Sequence, residues 1–329
     1  MGGVSRQTYS ATFPPDRFYC LLDGLPLHLV PRAALETNPQ TAGRELFLNP
    51  ECRLYAGEEL PGELASQTEL SSAFALPGTI AWVQDRNTCA PVPFWLGRRF
   101  ESFVKDLRPE ERVPESVPMF ARTILESAGI LVSADSIARR HVDREEAMRK
   151  AAALFREKGY APLHGLIHPF HVAALRRYYR HQIRTGAIPL GDGQSPLRYV
   201  AYNDPVARFF HQQSAMPFSA VVGEPIKPSY VYLASYLGGA ELKKHVDREQ
   251  CEFSITLCLD FSPEPTLATP WPISLDTPTG KVTVYQALGD GLAYRGTRLP
   301  HYRSKLGKGQ TSTSIFFHYV AADFAGSLG

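Results

Sequence analysis

The chain has 329 residues, 44% of them apolar and 21% charged, with a formal net charge of +2. Such a composition excludes a disordered or fibrous chain and leaves room for one large domain or two ordinary ones. Charge near balance gives no basic face for nucleic acid, and the densest basic cluster, Arg176, Arg177, Arg180 and Arg184, falls at helical spacing and reads as a solvated helix face. The five cysteines (Cys20, Cys52, Cys89, Cys251, Cys258) lack C-x-x-C spacing, which argues against a disulfide framework or zinc knuckle and fits a reducing cytoplasm. The N-terminal MGGVSRQTYS lacks a signal-peptide core, and Arg6 stands where a myristoylation motif wants Ser or Thr. No apolar run approaches the roughly 20 residues needed to span a bilayer. A cytoplasmic location without a membrane partner is therefore expected, and a homodimer is compatible with the sequence.

From about Arg17 to Leu96 the chain offers short β-like runs (FYCLLDG, LPLHLV, ELFLN, GTIAWVQ, VPFWLG) separated by Pro, Gly and Asn, so this part reads as α+β. Helical periodicity follows from Arg98 through Glu126 and ends in SAGILV, where Gly129 can cap a helix before a short strand. Ser133 or Ser136 can then start a charged amphipathic helix that ends at Gly159. GYAPLHGLI reads as a strand, and Pro169 suits the first turn of the helix FHVAALRRYYRHQI. Beyond Pro228 the runs SYVYLASYL, EFSITLCLDF, GKVTVYQAL, GLAYRG and TSTSIFFHYV are short and alternating, which favours a sandwich or jelly roll over a parallel sheet. The expected organisation is an N-terminal α+β part over 1–135, a linking helix over 136–160 and a β-rich domain over 161–329.

The chemistry is sought in ELKKHVDREQCEFSITLCLD. In extended backbone His245 and Asp247 point to one face, so an imidazole and a carboxylate can reach a single ion. His301, after a strand and a Gly-rich turn, is a credible distant third donor. Two His and one carboxylate on one face of an octahedral iron leave the other positions open for a bidentate co-substrate and dioxygen. The pentapeptide HVDRE occurs twice, and its first copy, His141 to Glu145, lies in a helical stretch where residues two apart face nearly opposite sides. That copy reads as a coincidence. His318 alternates with Phe316 and reads as a core histidine, and Cys251 and Cys258 read as small buried hydrophobes. His164, His168 and His171 lack a chelating spacing.

YVYLASYLGGAELKKHVDREQCEFSITLCLDF, then GDGLAYRGTRLPHYR, then TSTSIFFHYV, resemble the core of the 2-oxoglutarate-dependent iron(II) dioxygenases, nearest the prolyl-hydroxylase-like branch. The resemblance covers roughly residues 150 to 320. It implies a double-stranded β-helix (jelly roll) with buttressing helices, preceded by a smaller α+β domain. It further implies iron(II) on His245, Asp247 and His301, and 2-oxoglutarate hydrogen-bonded by Tyr236. The carboxylate at Asp247 argues against the halogenating relatives, which lack it. One departure concerns the strand after the distal His, where the family places an Arg or Lys against the far carboxylate of 2-oxoglutarate. Here that strand has Gln310, Thr311, Ser312 and Ser314. Arg303 is the first-choice substitute because two residues past His301 it shares that ligand's face in extended backbone, with Ser312 as a further contact. Arg295, Arg298, Lys305 and Lys308 are the other basic residues nearby. The expected activity is oxidation, by default hydroxylation, of a C–H bond in an amino-acid-derived or peptidyl substrate, of the kind met in natural-product biosynthesis. The alternative is a non-catalytic peptide- or ligand-binding protein on a degenerate dioxygenase fold.

Overall fold

Prolines and glycines cut the first 130 residues into short pieces. The computed structural model describes residues 13–32, 34, 45–55, 72–75, 78–85, 88 and 90–329; Cys89 and the N-terminal decapeptide, both considered above, lie outside them. Strands β1 (Phe47–Leu48), β2 (Arg53–Tyr55), β3 (Ile80–Gln84) and β4 (Pro91–Trp95) precede helices α1 (Gly97–Val104) and α2 (Met119–Ser127) and strand β5 (Leu131–Val132). These strands pair antiparallel, as β2-β3-β4 and β1-β5, with parallel bridges from Phe18 to Phe74 and from Leu21 to Trp95. FYCLLDG and LPLHLV, expected as strands, are instead single 3₁₀ turns over Leu22–Gly24 and Leu27–Leu29. Pro26 between them has no N–H for a ladder, and Gly24 weakens extended structure, so local turns take over. The predicted helical stretch is likewise split, because Pro109, Pro114 and Pro118 deny the intervening backbone its helical donors.

Helix α3 (Ala134–Lys158) begins with Ser133 and Ser136 bonded reciprocally as a capping box. It ends at Gly159, whose φ of +76° is the left-handed conformation that glycine adopts at lowest cost. After β6 (Tyr160–Leu163), helix α4 (Pro169–Arg184) carries the arginine cluster, and the expected solvated face holds for Arg180 and Arg184, which are exposed, but fails at Arg176. Arg176 is buried, with Nε 2.8 Å from Asp260 Oδ1 and a second ion pair to Glu264. Arg180 also holds Asp260, at 2.6 Å, and Arg177 lies 3.7 Å from the ring centroid of Tyr19. Helical spacing alone could not show that Asp260 and Glu264, 84 and 88 residues beyond Arg176, form the opposite wall.

The remaining elements are β7 (Arg198–Tyr202), α5 (Pro205–Gln213), α6 (Ala215–Val222), β8 (Ile226–Leu237), β9 (Leu242–His245), β10 (Phe253–Ser262), β11 (Ile273–Thr277), β12 (Gly280–Val284), β13 (Gly291–Arg295), β14 (His301–Arg303) and β15 (Thr311–Ala321). They form two antiparallel sheets, ordered β6-β13-β10-β15-β8-β7 and β12-β11-β14-β9. From β8 to β15 the chain alternates between the sheets, except for the β11–β12 hairpin. Central strand β10 is buried along nearly its whole length, as expected for a strand covered on both sides. Its Ser254 and Thr256 face the smaller sheet, where Ile273 and Leu275 pack against Leu292 and Tyr294. The opposite face joins a core shared with the N-terminal elements: Phe18 meets Phe74, Trp95, Tyr178 and Phe210 at ring separations of 5.2–6.3 Å. No helix among the described residues is long and apolar enough to cross a membrane.

Candidate functional site

Strands β9 and β14 are adjacent in the smaller sheet, and their register sets His301 opposite His245. Asp247, just past β9, donates its backbone N–H to Gly296 O at 2.9 Å, which ties the turn after β9 to the end of β13. The three residues expected to act together therefore converge. Nε2 of His245 lies 3.5 Å, and Nε2 of His301 3.4 Å, from the same oxygen, Asp247 Oδ1. Donors bound at about 2.1 Å to one ion, at right angles, lie roughly 3 Å apart, so this triangle needs little contraction to hold a metal.

Proton placement fits the same task. His245 Nδ1 lies 2.8 Å from Lys243 O and His301 Nδ1 3.0 Å from Leu299 O. Carbonyls only accept, so both Nδ1 atoms carry the proton and both Nε2 atoms present lone pairs. Burial alone would raise the Asp247 carboxyl, but the imidazoles of His245 and His301 outweigh it and hold it well below the usual carboxylate range. In the metal-free site a second proton, on His245 Nε2 and shared with Asp247, raises His245 against the opposing effect of burial, and a bound metal would displace that proton. An anionic oxygen flanked by two neutral imidazoles is a donor set suited to a ferrous ion.

Close approach is secured by Gly296. A Cβ there would lie 2.4 Å from Asp247 Oδ2 and 2.3 Å from Cys251 O, so no larger residue fits without moving the carboxylate.

The donors open onto a cavity of about 300 Å³, walled by Tyr230, Tyr232, Tyr236, Tyr294 and Phe316. Tyr236 is buried on β8; burial raises its phenol, which Arg198 only partly offsets, so the O–H stays available as a donor. Arg303 and Ser312 do not line this cavity but lie close behind it. Ser312 pairs in register with Tyr236 and is buried. The buried guanidinium of Arg303 donates to Trp271 O at 2.6 Å and Gln286 Oε1 at 3.4 Å, and lies 4.9 Å from the Trp271 ring centroid. No carboxylate is among those contacts. Burial accordingly lowers its pKa, with Cys258, Tyr236 and Tyr294 acting in the opposite sense.

Sequence reasoning missed Arg198 and the clamping role of Gly296. Arg198 stands opposite Tyr236 on edge strand β7 and lines the cavity, but Asp192 already pairs with it at 2.5 Å. A lone Arg in RYVAY gives no sign of this. His318, expected in the core, is buried and also lines the cavity, its ring 4.7 Å from that of Tyr230. The first HVDRE copy lies within α3, away from any of these groups. Of the other histidines, His168 bonds Ser127 O, His171 bonds Pro93 O, and His164 meets Asp290. A larger cavity of about 390 Å³, between α3, α6 and β6, is apolar and contains none of the three donors.

The chain is similar, over about half its length, to solved 2-oxoglutarate and iron(II) oxygenases. The epimerase SnoN, in complex with Fe3+, alpha ketoglutarate and nogalamycin RO, is 14% identical, covering 54% of this chain and 85% of its own, with a TM-score of 0.46. A Pseudomonas putida prolyl-4-hydroxylase is 14% identical over 52% of this chain and 98% of its own, at 0.41. HygX from Streptomyces hygroscopicus, with nickel, 2-oxoglutarate and hygromycin B bound, is 13% identical over 54% and 88%, at 0.43. No protein-family model and no curated protein matches the chain. At these TM-scores the likeness carries no weight of its own for reaction or substrate.

Proposed function

We propose that the chain is an iron(II)- and 2-oxoglutarate-dependent oxygenase that hydroxylates a C–H bond, built on a double-stranded β-helix. The alternation of β8 to β15 between two facing antiparallel sheets supports the fold. One observation carries the function: two imidazole nitrogens, from β9 and β14, lie within 3.5 Å of one carboxylate oxygen from the turn after β9. His245, Asp247 and His301 would hold the iron, which together with 2-oxoglutarate and dioxygen supplies the oxidising power. The chain's own part is placement. Tyr236, in the cavity wall, donates to the co-substrate, and Arg303, behind that wall and without a carboxylate partner, is the cation toward which the far carboxylate would extend, with Ser312 beside Tyr236. The aromatic wall excludes water and orients the substrate.

A cavity of about 300 Å³ is at the small end of the range for drug-sized ligands, which suits a small molecule or one residue of a peptide. We take the substrate to be amino-acid-derived or peptidyl. The rival reading, a ligand-binding protein without turnover, is favoured by the absence of Arg or Lys between Gln310 and Val320. Anaerobic addition of iron(II) and 2-oxoglutarate decides between them. The oxygenase should develop the visible charge-transfer band of the chelate and release succinate in air, both abolished by Asp247→Ala. Purified protein that binds no iron would overturn the oxygenase reading.

A further inference from the structure

Asp247 Oδ2, the oxygen turned away from the imidazoles, is itself held. Ser254 Oγ donates to it at 3.2 Å, and the same hydroxyl lies 3.3 Å from Cys251 O and 2.9 Å from His318 Nδ1. A serine hydroxyl has one proton, whereas a carboxylate and a carbonyl can only accept. With the proton directed at Asp247 and Cys251, Ser254 Oγ must accept from His318, so His318 carries its own proton on Nδ1. The opposite assignment would set hydroxyl lone pairs against a buried anionic oxygen and leave that oxygen without this donor, at the cost of an unsatisfied buried charge. Ser254 is fully buried at the start of β10 and His318 is buried on β15 opposite it, so water does not compete for these bonds.

We propose that Ser254 and His318 are positioning residues that fix the rotation of the Asp247 carboxylate, so that Oδ1 alone is presented to the metal. The proposal rests on the reading of His245, Asp247 and His301 as an iron site. A second observation supports it: Gly296 packs against Oδ2 from another direction, so the oxygen is confined between a hydroxyl and a backbone that tolerates no Cβ. A hydrogen bond to the outer oxygen leaves one donor atom per carboxylate and keeps the remaining metal positions open. A polar pair serving only the core would affect folding stability without affecting metal affinity.

The test is titration of the full chain with cobalt(II), followed by its visible ligand-field absorption, for wild type, Ser254→Ala, His318→Asn and His318→Gln, with thermal melts alongside. Loss of the Ser254 bond should weaken cobalt binding about 10- to 100-fold, the usual effect of removing an outer partner of a metal ligand. His318→Asn places an amide near the Nδ1 position and should retain affinity within about threefold, whereas His318→Gln reaches the Nε2 position and should lose about tenfold or more. Equal cobalt affinity in wild type and Ser254→Ala overturns the proposal. Should Ser254→Ala not fold, equal affinity in the Asn and Gln variants overturns it instead. Wild-type protein that binds no cobalt defeats the metal-site reading itself, which is a distinguishable failure.

Discussion

Replacing Arg303 by Met retains much of the side-chain volume and removes the charge. In the free protein that charge has only the neutral acceptors Trp271 O and Gln286 Oε1, so its removal strands two acceptors and relieves one desolvated cation. These effects oppose one another, which makes absolute stability a poor readout. The shift produced by co-substrate is a better one. A ligand at 100 times its Kd stabilises the folded state by about 2.7 kcal/mol. At about 2.1 cal/mol/K per residue, a chain of 329 residues has an unfolding entropy near 0.7 kcal/mol/K, so 2-oxoglutarate with manganese(II) should raise the Tm by about 4 °C. Truncating one partner of a buried charge pair costs about 2–5 kcal/mol, a Kd at least ~30-fold higher. The same 2-oxoglutarate concentration is then only about three times Kd, and the shift should shrink to about 1 °C. Differential scanning fluorimetry measures both. If Arg303→Met keeps the full shift and Arg198→Met loses it, the anchor is on β7 and the assignment to Arg303 is wrong.

Gly296→Ala should reduce iron or cobalt affinity at least ~10-fold, by isothermal titration, because the new Cβ displaces Asp247 Oδ2; unchanged affinity would show that the carboxylate has room to move. Arg176→Met removes one partner from a buried ion-pair cluster but leaves Arg180 on Asp260, so urea unfolding should report a loss of about 3 kcal/mol. A loss under ~1 kcal/mol would place the cluster in effective contact with solvent. His171 is buried and neutral, its pKa pushed down by burial to about 3. Between pH 7 and pH 5 only the unfolded state gains its proton, so stability falls with pH, by about 2 kcal/mol at pH 5 from this group alone. His171→Phe should lose about 2 kcal/mol less than wild type over that interval, and an identical loss would contradict the neutral assignment.

The donors were legible in the sequence because two of them obey a local rule: residues two apart in extended chain share a face, and HVD precedes a strongly alternating strand. His301 was reachable through its position after GLAYRG. Strands β10, β13 and β15 were visible because their β-branched and aromatic runs are uninterrupted, whereas β11, in PWPISLDTPTG, was concealed by its flanking prolines and threonines. Arg176 and Arg198 were misread or missed for one reason. Their meaning depends on which carboxylate each meets, Asp260 and Glu264 across the fold for the first and Asp192, six residues earlier, for the second, and neither periodicity nor composition encodes which acid meets which base. Gly296 gave no signal because a close approach is a property of both partners.

The twin HVDRE words yield a lesson about recognition by short strings. Spelled identically, one is wound into α3, where a 100° step per residue sends its first and third side chains to nearly opposite sides, and the other is drawn out past β9, where they meet. Convergence of the two side chains is thus conferred by backbone conformation on letters that are otherwise inert, and mutating the flanks of the extended copy toward helix formers should abolish it while leaving all five letters in place.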